Sequence, residues 1–407
     1  METSISKHII HILIISLAIL FVACDDSTDP EDDVNYDIIE PLTNVVKRDL
    51  LVFNDNTIPD TVINSLTNYK AIVFGELHTI AEERELVSNL AAKLSMAGIV
   101  IEICAECPQA YSWVYEKVSL GELSSLPGWV NYPRMLPILD SLTRYNASTQ
   151  NKIKLRCIDR NDKVSTFYSS LKGFVEMVND NAELVNYINN FPDYNSNDYI
   201  DSIYAFRVIL NDNPAAIGLL QTDEHYLILS QMVENEIKSI GIRANWSSDY
   251  QTSFSNREDL IKSNADYCLA QSEGTIIFYF GSYHAQKERF MGSNIEWLGD
   301  YLHNSNPIST NKSISIVGVP LKGEIINSSN TGTTNFNLLY ESKADDLFRI
   351  TADVNSRNYS MLFLSDPIFL ESNIRTRYVY KSSEVVIPTK KQYDAFIFIP
   401  KGTYSGR

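Results

Sequence analysis

The chain has 407 residues, 44% of them hydrophobic, with 34 basic and 51 acidic side chains and a net charge of −17. That acidity argues against nucleic acid as a partner, which would want a basic face. The length suffices for one large α/β domain or two smaller ones.

Residues 1–23 read as a signal peptide rather than as part of the fold. Lys7 is the only positive charge ahead of an apolar run from Ile9 to Val22, broken by His11 and Ser16. The run is short for a membrane span and fits a signal-peptide core. It stops at Phe21-Val22-Ala23-Cys24, which resembles a bacterial lipoprotein signal, although Leu20 stands one place earlier than usual. In that reading Cys24 becomes the lipidated N-terminus; ordinary cleavage to a secreted protein is the alternative. Residues 24–42 are assigned to an acidic, disordered tether, since seven of residues 25–37 are acidic. Its composition resembles the acidic export signal of surface lipoproteins in Bacteroidetes-type bacteria. The expected location is the cell envelope, lipid-anchored, at the outer membrane and exposed on the cell surface in the fullest version.

The rest, 43–407, is expected to form an α/β domain: a mostly parallel central sheet flanked by helices. Ala71 to Phe74 is a short β-branched apolar run, a buried strand that ends in Gly75-Glu76-Leu77-His78. A helix is predicted to start at Thr79 as N-cap, with Glu82 completing a capping box, and to present Leu86, Leu90 and Leu94 to the core. A second strand over Ile99 to Cys104 ends near Glu106. In open α/β sheets such strand ends line the ligand crevice. A Gly permits the sharp turn, a His moves protons near neutral pH, and a carboxylate orients it. The plainer alternative is a helix-capping Glu76 and a structural His78.

Residues 108–123 read as a helix, with Gly121 near its end, and 152–158 as a third strand followed by Asp159-Arg160-Asn161-Asp162. Residues of about 165–245 are helical and form an expected insertion or lid. A helix over Arg257 to Leu269 precedes a strand from Thr275 to Phe280, closed by Gly281-Ser282-Tyr283-His284. Further strands are expected at Ser313 to Val319, Ser360 to Leu364 and Ala395 to Ile399, with Asn-rich loops at 304–312 and 328–337. Cys104 and Cys107 form a CxxC, which a zinc half-site or redox pair would use. No second CxxC exists and Cys104 sits inside a strand, so buried thiols are preferred, with a disulfide as the alternative for a domain outside the cytoplasm. His225 and His303 are not at strand ends and read as structural or surface residues.

Two strand-end histidines, each after a Gly, thus stand with Glu76, Glu106, Asp159 and Arg160. So many ionisable groups at strand ends favour a functional site. The pattern resembles the erythromycin esterase family, within the broader group of haem-uptake (ChaN-like) and Tiki-type proteins. The carriers are Gly75 to His78, Glu106 in ECPQAY, Arg257 and Asn264 in NREDLIKSNADY, Gly281 to His284, and Tyr393 to Phe398. One residue separates Glu76 from His78, as in the haem-uptake and Tiki branch, where macrolide esterases carry two; Ile261 stands where Met is usual. The resemblance implies a hydrolase of ester or amide bonds. His78 would be the base, assisted by Glu106, with Glu76 and His284 positioning water or the oxyanion. Arg257, Asn264, Asp159 and Arg160 would bind substrate. No cofactor is required, and no Gly-x-Ser-x-Gly elbow is present. Two alternatives stand: a divalent-metal site of His78, His284, Glu76 and Glu106 in a Tiki-type peptidase, and a non-catalytic lipoprotein that captures haem or another small ligand. The expected partners are a small-molecule or peptide substrate and, through Cys24, the membrane.

Overall fold

The computed structural model describes residues 36–55, 57–78, 80–289, 295–326, 333–337, 346–371, 374, 381–382, 385–386 and 388–404. The signal peptide, Cys24 and Thr79 lie outside the described residues. In chain order the strands are β1 (Leu51–Phe53), β2 (Ala71–Glu76), β3 (Ile101–Pro108), β4 (Lys154–Asp159), β5 (Thr275–Gly281), β6 (Ser313–Pro320), β7 (Lys322–Ile326), β8 (Thr333–Asn337), β9 (Tyr359–Phe363), β10 (Lys381–Ser382), β11 (Val385–Val386) and β12 (Ala395–Ile399). The longer helices are α1 (Tyr36–Asp49), α2 (Asp60–Leu66), α3 (Ala81–Met96), α4 (Ser112–Leu120), α5 (Leu136–Asn146), α6 (Val164–Phe174), α7 (Ala182–Asn189), α8 (Tyr199–Asp212), α9 (Glu224–Asn245), α10 (Tyr250–Gln271) and α11 (Asp346–Val354).

Eight strands form one sheet in the order β1-β9-β12-β6-β2-β5-β3-β4. From β12 to β4 every pairing is parallel, and only β9 runs against its neighbours. The expected α/β class therefore holds. Strands β2, β3 and β5 are buried along their whole length, since helices cover both faces. On one face Phe74, Leu86, Leu90 and Trp113 pack with Phe167, Phe174 and Phe206 of the helical insertion. On the other, Val46, Ile261 and Phe348 pack on Val73, Phe278 and Phe396. The insertion thus shares the main core instead of forming a separate body.

Several boundaries differ from expectation. Strands β2 and β3 are not neighbours: β5 enters between them. The glutamate expected at the end of β3 lies inside it, at a register shift between Ala105 and Pro108 against β4. Such an extra residue re-aims side chains next to a site. Helix α3 is capped by Ile80 with no side-chain cap, so the capping box does not form. The Oε2 of Glu82 instead accepts from the Thr403 N–H at 2.8 Å. Helix α1 begins inside the stretch assigned to the tether and buries Leu42 and Val46. The Asn-rich stretch 328–337 contains β8, paired with β7.

Candidate active site

Strands β2, β5 and β3 end side by side, and their ends carry the expected groups. Glu76 closes β2 and is buried; His78 follows it with its side chain 49% exposed. The Nδ1 of His78 lies 2.9 Å from Glu76 Oε1, and its Nε2 lies 3.9 Å from Glu106 Oε2. His284, on the short helical turn after β5, is buried with Nε2 3.9 Å from Glu106 Oε1. Its Nδ1 is 3.0 Å from Glu258 Oε1, though not aligned as a hydrogen bond. All four expected groups therefore meet at the C-terminal edge of the parallel strands.

Gly281 makes this possible. It ends β5 between the two acid-bearing strands, opposite Glu76 in register. A Cβ there would stand 2.9 Å from His78 Cε1 and 3.1 Å from its Nε2. The bare backbone lets the imidazole lie across the end of β5 toward Glu106, and the Gly281 N–H donates to Glu106 Oε2 at 2.9 Å.

Glu106 is a saturated, buried carboxylate. Its Oε1 accepts from Arg257 Nη2 at 2.6 Å. Arg257 also grips Asp159 with two bonds, Nε to Oδ1 at 2.9 Å and Nη2 to Oδ2 at 2.6 Å. Burial opposes the charge on Glu106. His78, His284, Arg257 and the Gly281 N–H overcome it and hold the carboxyl well below the usual range. The same carboxylates hold the Arg257 guanidinium well above its usual value against burial.

Of the expected substrate-binding residues, Arg257 and Asp159 thus form an ion cluster behind Glu106. Asn264 does not enter the site: its side chain donates to the Ile158 carbonyl at 2.9 Å. Arg160 points away, with its guanidinium 4.4 Å from the ring centre of Trp246 and 3.4 Å from Asp162. A cavity of about 350 Å³ runs along the outer edge strand β4, lined by Glu116, Arg156, Asn264 and Cys268, away from both histidines.

Four contributors lie outside the motifs that mark the site in the sequence. Arg134, on the short turn Pro133–Met135, contacts Glu76 Oε1 and lies 2.5 Å from His78 Nδ1 and 4.0 Å from Glu106 Oε2. The Tyr279 hydroxyl donates to Glu76 Oε2, and the Tyr132 hydroxyl to the Glu106 carbonyl at 3.0 Å. Glu83 accepts from the Leu77 N–H at 2.8 Å and so fixes the turn that carries His78. Burial pushes the Glu83 carboxyl well above the usual range. Tyr279 brings a hydroxyl into a strand that is otherwise mostly apolar and buried on both faces, which could have flagged it; Arg134 sits in an irregular loop with no period to read.

A metal fits this site poorly. Glu76, His78 and Glu106 each bring a donor atom within 4.8 Å of the others. Yet every carboxylate oxygen there already accepts a bond, from Tyr279, His78 or Arg134, Arg257 or Gly281. Two guanidinium groups also stand where a divalent cation would repel them. The CxxC is not a half-site either. Cys107 is joined to Cys157 across β3 and β4, while Cys104 and Cys268 are free and buried. Glu102, the other acid of β3, lies 3.3 Å from Arg156 Nε, outside the site. His225 stacks edge-on against Phe174, and His303 Nδ1 is 2.9 Å from the Ser313 hydroxyl, both structural.

No protein-family model and no curated protein matches this sequence. Solved structures do match in fold. A succinoglycan biosynthesis protein superposes with TM-score 0.68 at 12% identity, covering 91% of this chain and 98% of its own. A protein from Bacillus cereus gives TM-score 0.66 at 14% identity, covering 91% and 99%. The erythromycin esterase EreC, a mutant in its open conformation, gives TM-score 0.60 at 13% identity, covering 88% and 98%.

Proposed function

We propose that the chain, which shares its fold with EreC over nearly the whole of both molecules, is a hydrolase. It would cleave an ester, or an amide, by activating water. The reading rests chiefly on one observation: His78 is held at Nδ1 by buried Glu76 while its half-exposed ring turns Nε2 toward the opening beside Glu106. Nε2 takes the proton from water, and the imidazolium that forms is stabilised by Glu76 on one side and ionised Glu106 on the other. The geometry favours Glu76, rather than Glu106, as the group that orients the ring. Glu106 supplies fixed negative charge and is itself anchored by Arg257. His284 faces the same carboxylate from the buried side and is the candidate donor to the developing oxyanion. A positioned base of this kind supplies about 10²–10⁴-fold in rate.

The test is hydrolysis of a panel of lactones and aryl esters by purified protein. His78→Ala should lose at least about 100-fold with an unchanged melting temperature. Loss of activity on chelation, restored by one metal, would overturn this reading in favour of a metal-dependent peptidase, despite the occupied carboxylate oxygens. No helix among the described residues is long and apolar enough to cross a membrane. The proposed location is the cell envelope, anchored through Cys24. The Cys107–Cys157 disulfide supports a compartment outside the cytoplasm.

A further inference from the structure

Five aromatic rings run as one chain along the edge of the sheet that carries the site. Tyr250 and Phe254 stand one turn apart at the start of α10, their ring centres 5.1 Å apart. Trp246, which closes α9, packs 5.2 Å from the first and 5.8 Å from the second. Phe254 continues to Trp297 at 5.5 Å, and Trp297 to Tyr283 at 6.1 Å. The chain touches the site twice. Trp297 meets His284 edge-on at 5.2 Å. Arg257, which bonds Glu106 at 2.6 Å, lies 5.7 Å from the centre of the Phe254 ring. Burial raises the Tyr250 hydroxyl above its ordinary value and the Arg257 charge opposes the rise, so that ring too is within reach of the ion cluster. At the outer end Trp246 carries the Arg160 guanidinium, and Arg160 follows Asp159 at the end of β4. The rings therefore border the crevice on its β4 side.

Packing explains the inner rings. Trp297 is 7% exposed and Phe254 half-buried, and they seat α10 against the turn after β5. It does not explain the outer ones. Tyr250 is 49% and Tyr283 55% exposed, and Trp246 is half-buried. Half-wet aromatic side chains beside a crevice present apolar area for a ligand to cover. The surroundings narrow the occupant. A cation would meet two guanidinium groups already lying against Trp246 and Phe254. A sugar needs polar partners around its rim, and those of the adjoining turn are engaged. Asp249 accepts from the Thr252 N–H at 3.0 Å, and the Ser248 hydroxyl donates to the Asn245 carbonyl at 3.3 Å. Trp246, Tyr250 and Phe254 are tilted by 33° to 77° against one another. They offer both faces and edges, the two ways in which one aromatic ring packs on another.

We propose that Trp246, Tyr250, Phe254 and Tyr283 form the shelf that selects the substrate, and that the substrate is an ester carrying a flat aromatic ring. The ring lies on the shelf while the ester group reaches past Arg257 to Glu106 and His78. An aromatic pair contributes beyond the area it buries, enough for about a threefold to tenfold preference over a saturated ring of the same size. The proposal rests on the hydrolase reading for the ester; binding of the ring does not need it.

The experiment compares matched compounds, the acetates of 3-phenylpropanol and 3-cyclohexylpropanol. The cyclohexyl ring is the more hydrophobic, so a surface that is merely apolar prefers it. Wild-type protein should show a KM about threefold to tenfold lower for the phenyl ester. Tyr250→Leu, at a half-exposed position, should remove the preference, as should Trp246→Leu. Binding is read without turnover on His78→Ala protein, with the two free alcohols as probes and the indole N–H signals of the four tryptophans as the NMR readout. The phenyl alcohol should bind more tightly and move the Trp246 signal, assigned with Trp246→Leu. Equal binding of the two alcohols, tighter binding of the cyclohexyl one, or a preference that survives both leucine variants overturns the proposal. If a leucine variant does not fold, the two alcohols on His78→Ala protein still decide. Tighter binding of the phenyl alcohol, with neither ester hydrolysed by wild-type protein, keeps the shelf and sinks the hydrolase reading. Hydrolysis of both esters at equal KM does the reverse.

Discussion

At the scale of single residues, Gly281 and Glu106 carry the sharpest expectations. Gly281→Ala puts a methyl group 2.9 Å from His78 Cε1. The ring is half-exposed and can swing outward, so the protein should fold with nearly the wild-type melting temperature. The base would be displaced by about an ångström, and hydrolysis should fall on the order of 100-fold. Equal kcat/KM for Gly281→Ala and wild type would mean that the ring position is irrelevant to turnover. Glu106 links the site to stability. Its folded carboxyl is held below the usual range, by charges and a backbone N–H that outweigh burial. A lowered carboxyl contributes stability above its unfolded value of about 4.3 and loses it as pH falls below that. Glu236 works in the opposite sense. Burial raises it to about 6, despite Arg243 and Asn161, so its contribution is full below the unfolded value and is lost as pH rises through 6. The readout is therefore a difference between variants. Glu106→Gln should be less stable than wild type at pH 7, and the gap in urea midpoint should narrow between pH 5 and pH 3. Parallel curves over that range would show that Glu106 is not what acid attacks.

At the scale of elements, α10 and the ends of the strands explain one another. Arg257 and Asn264 are seven residues, or about two turns, apart. Arg257 ties the helix to Asp159 and Glu106, and Asn264 ties it to the Ile158 carbonyl at the end of β4. Arg257→Met leaves two buried carboxylates without their cation and should cost about 3–5 kcal/mol in chemical denaturation. Asn264→Ala removes one hydrogen bond to the backbone and should cost about 1 kcal/mol, leaving KM unchanged. A KM raised tenfold by Asn264→Ala, with stability intact, would return that residue to substrate binding. The sequence made the strand-end groups readable because each follows a short apolar run and a turn, as with Glu76, His78 and His284. Sheet order was not readable, because nothing local in Thr275–Gly281 says that it inserts between β2 and β3. Glu82 fits a capping pattern, but the neighbour that faces inward and binds the Leu77 N–H is Glu83. Arg134 was hidden because its loop, Trp129 to Met135, has neither period nor motif, and only packing brings it to Glu76.

At the scale of the whole molecule, the cysteines join fold and location. The Cys107–Cys157 bond closes a loop with a sequence separation of 50. It ties the edge strand β4, which holds Asp159, to β3, which holds Glu106. Closing a loop of that length should contribute about 4 kcal/mol, mainly by restricting the unfolded chain. The double variant Cys107→Ala/Cys157→Ala should therefore melt well below wild type, and reductant should lower the wild-type melting temperature but not the variant's. Such a bond persists where thiols are not kept reduced, which agrees with export. Thiol counting then tests export and anchoring together. The sequence has five cysteines, of which Cys104 and Cys268 are free and buried. If Cys24 is lipidated, alkylation of the membrane-fraction protein in denaturant should label two thiols without reductant and four with it. Three and five would mean a free Cys24 in an uncleaved chain. Cys24→Ser should leave the membrane fraction and still show two and four, since the serine takes no label and the disulfide forms independently of the anchor. A Cys24→Ser protein that stays with the membrane after a carbonate wash would rule out the lipid as its anchor, whatever the thiol count.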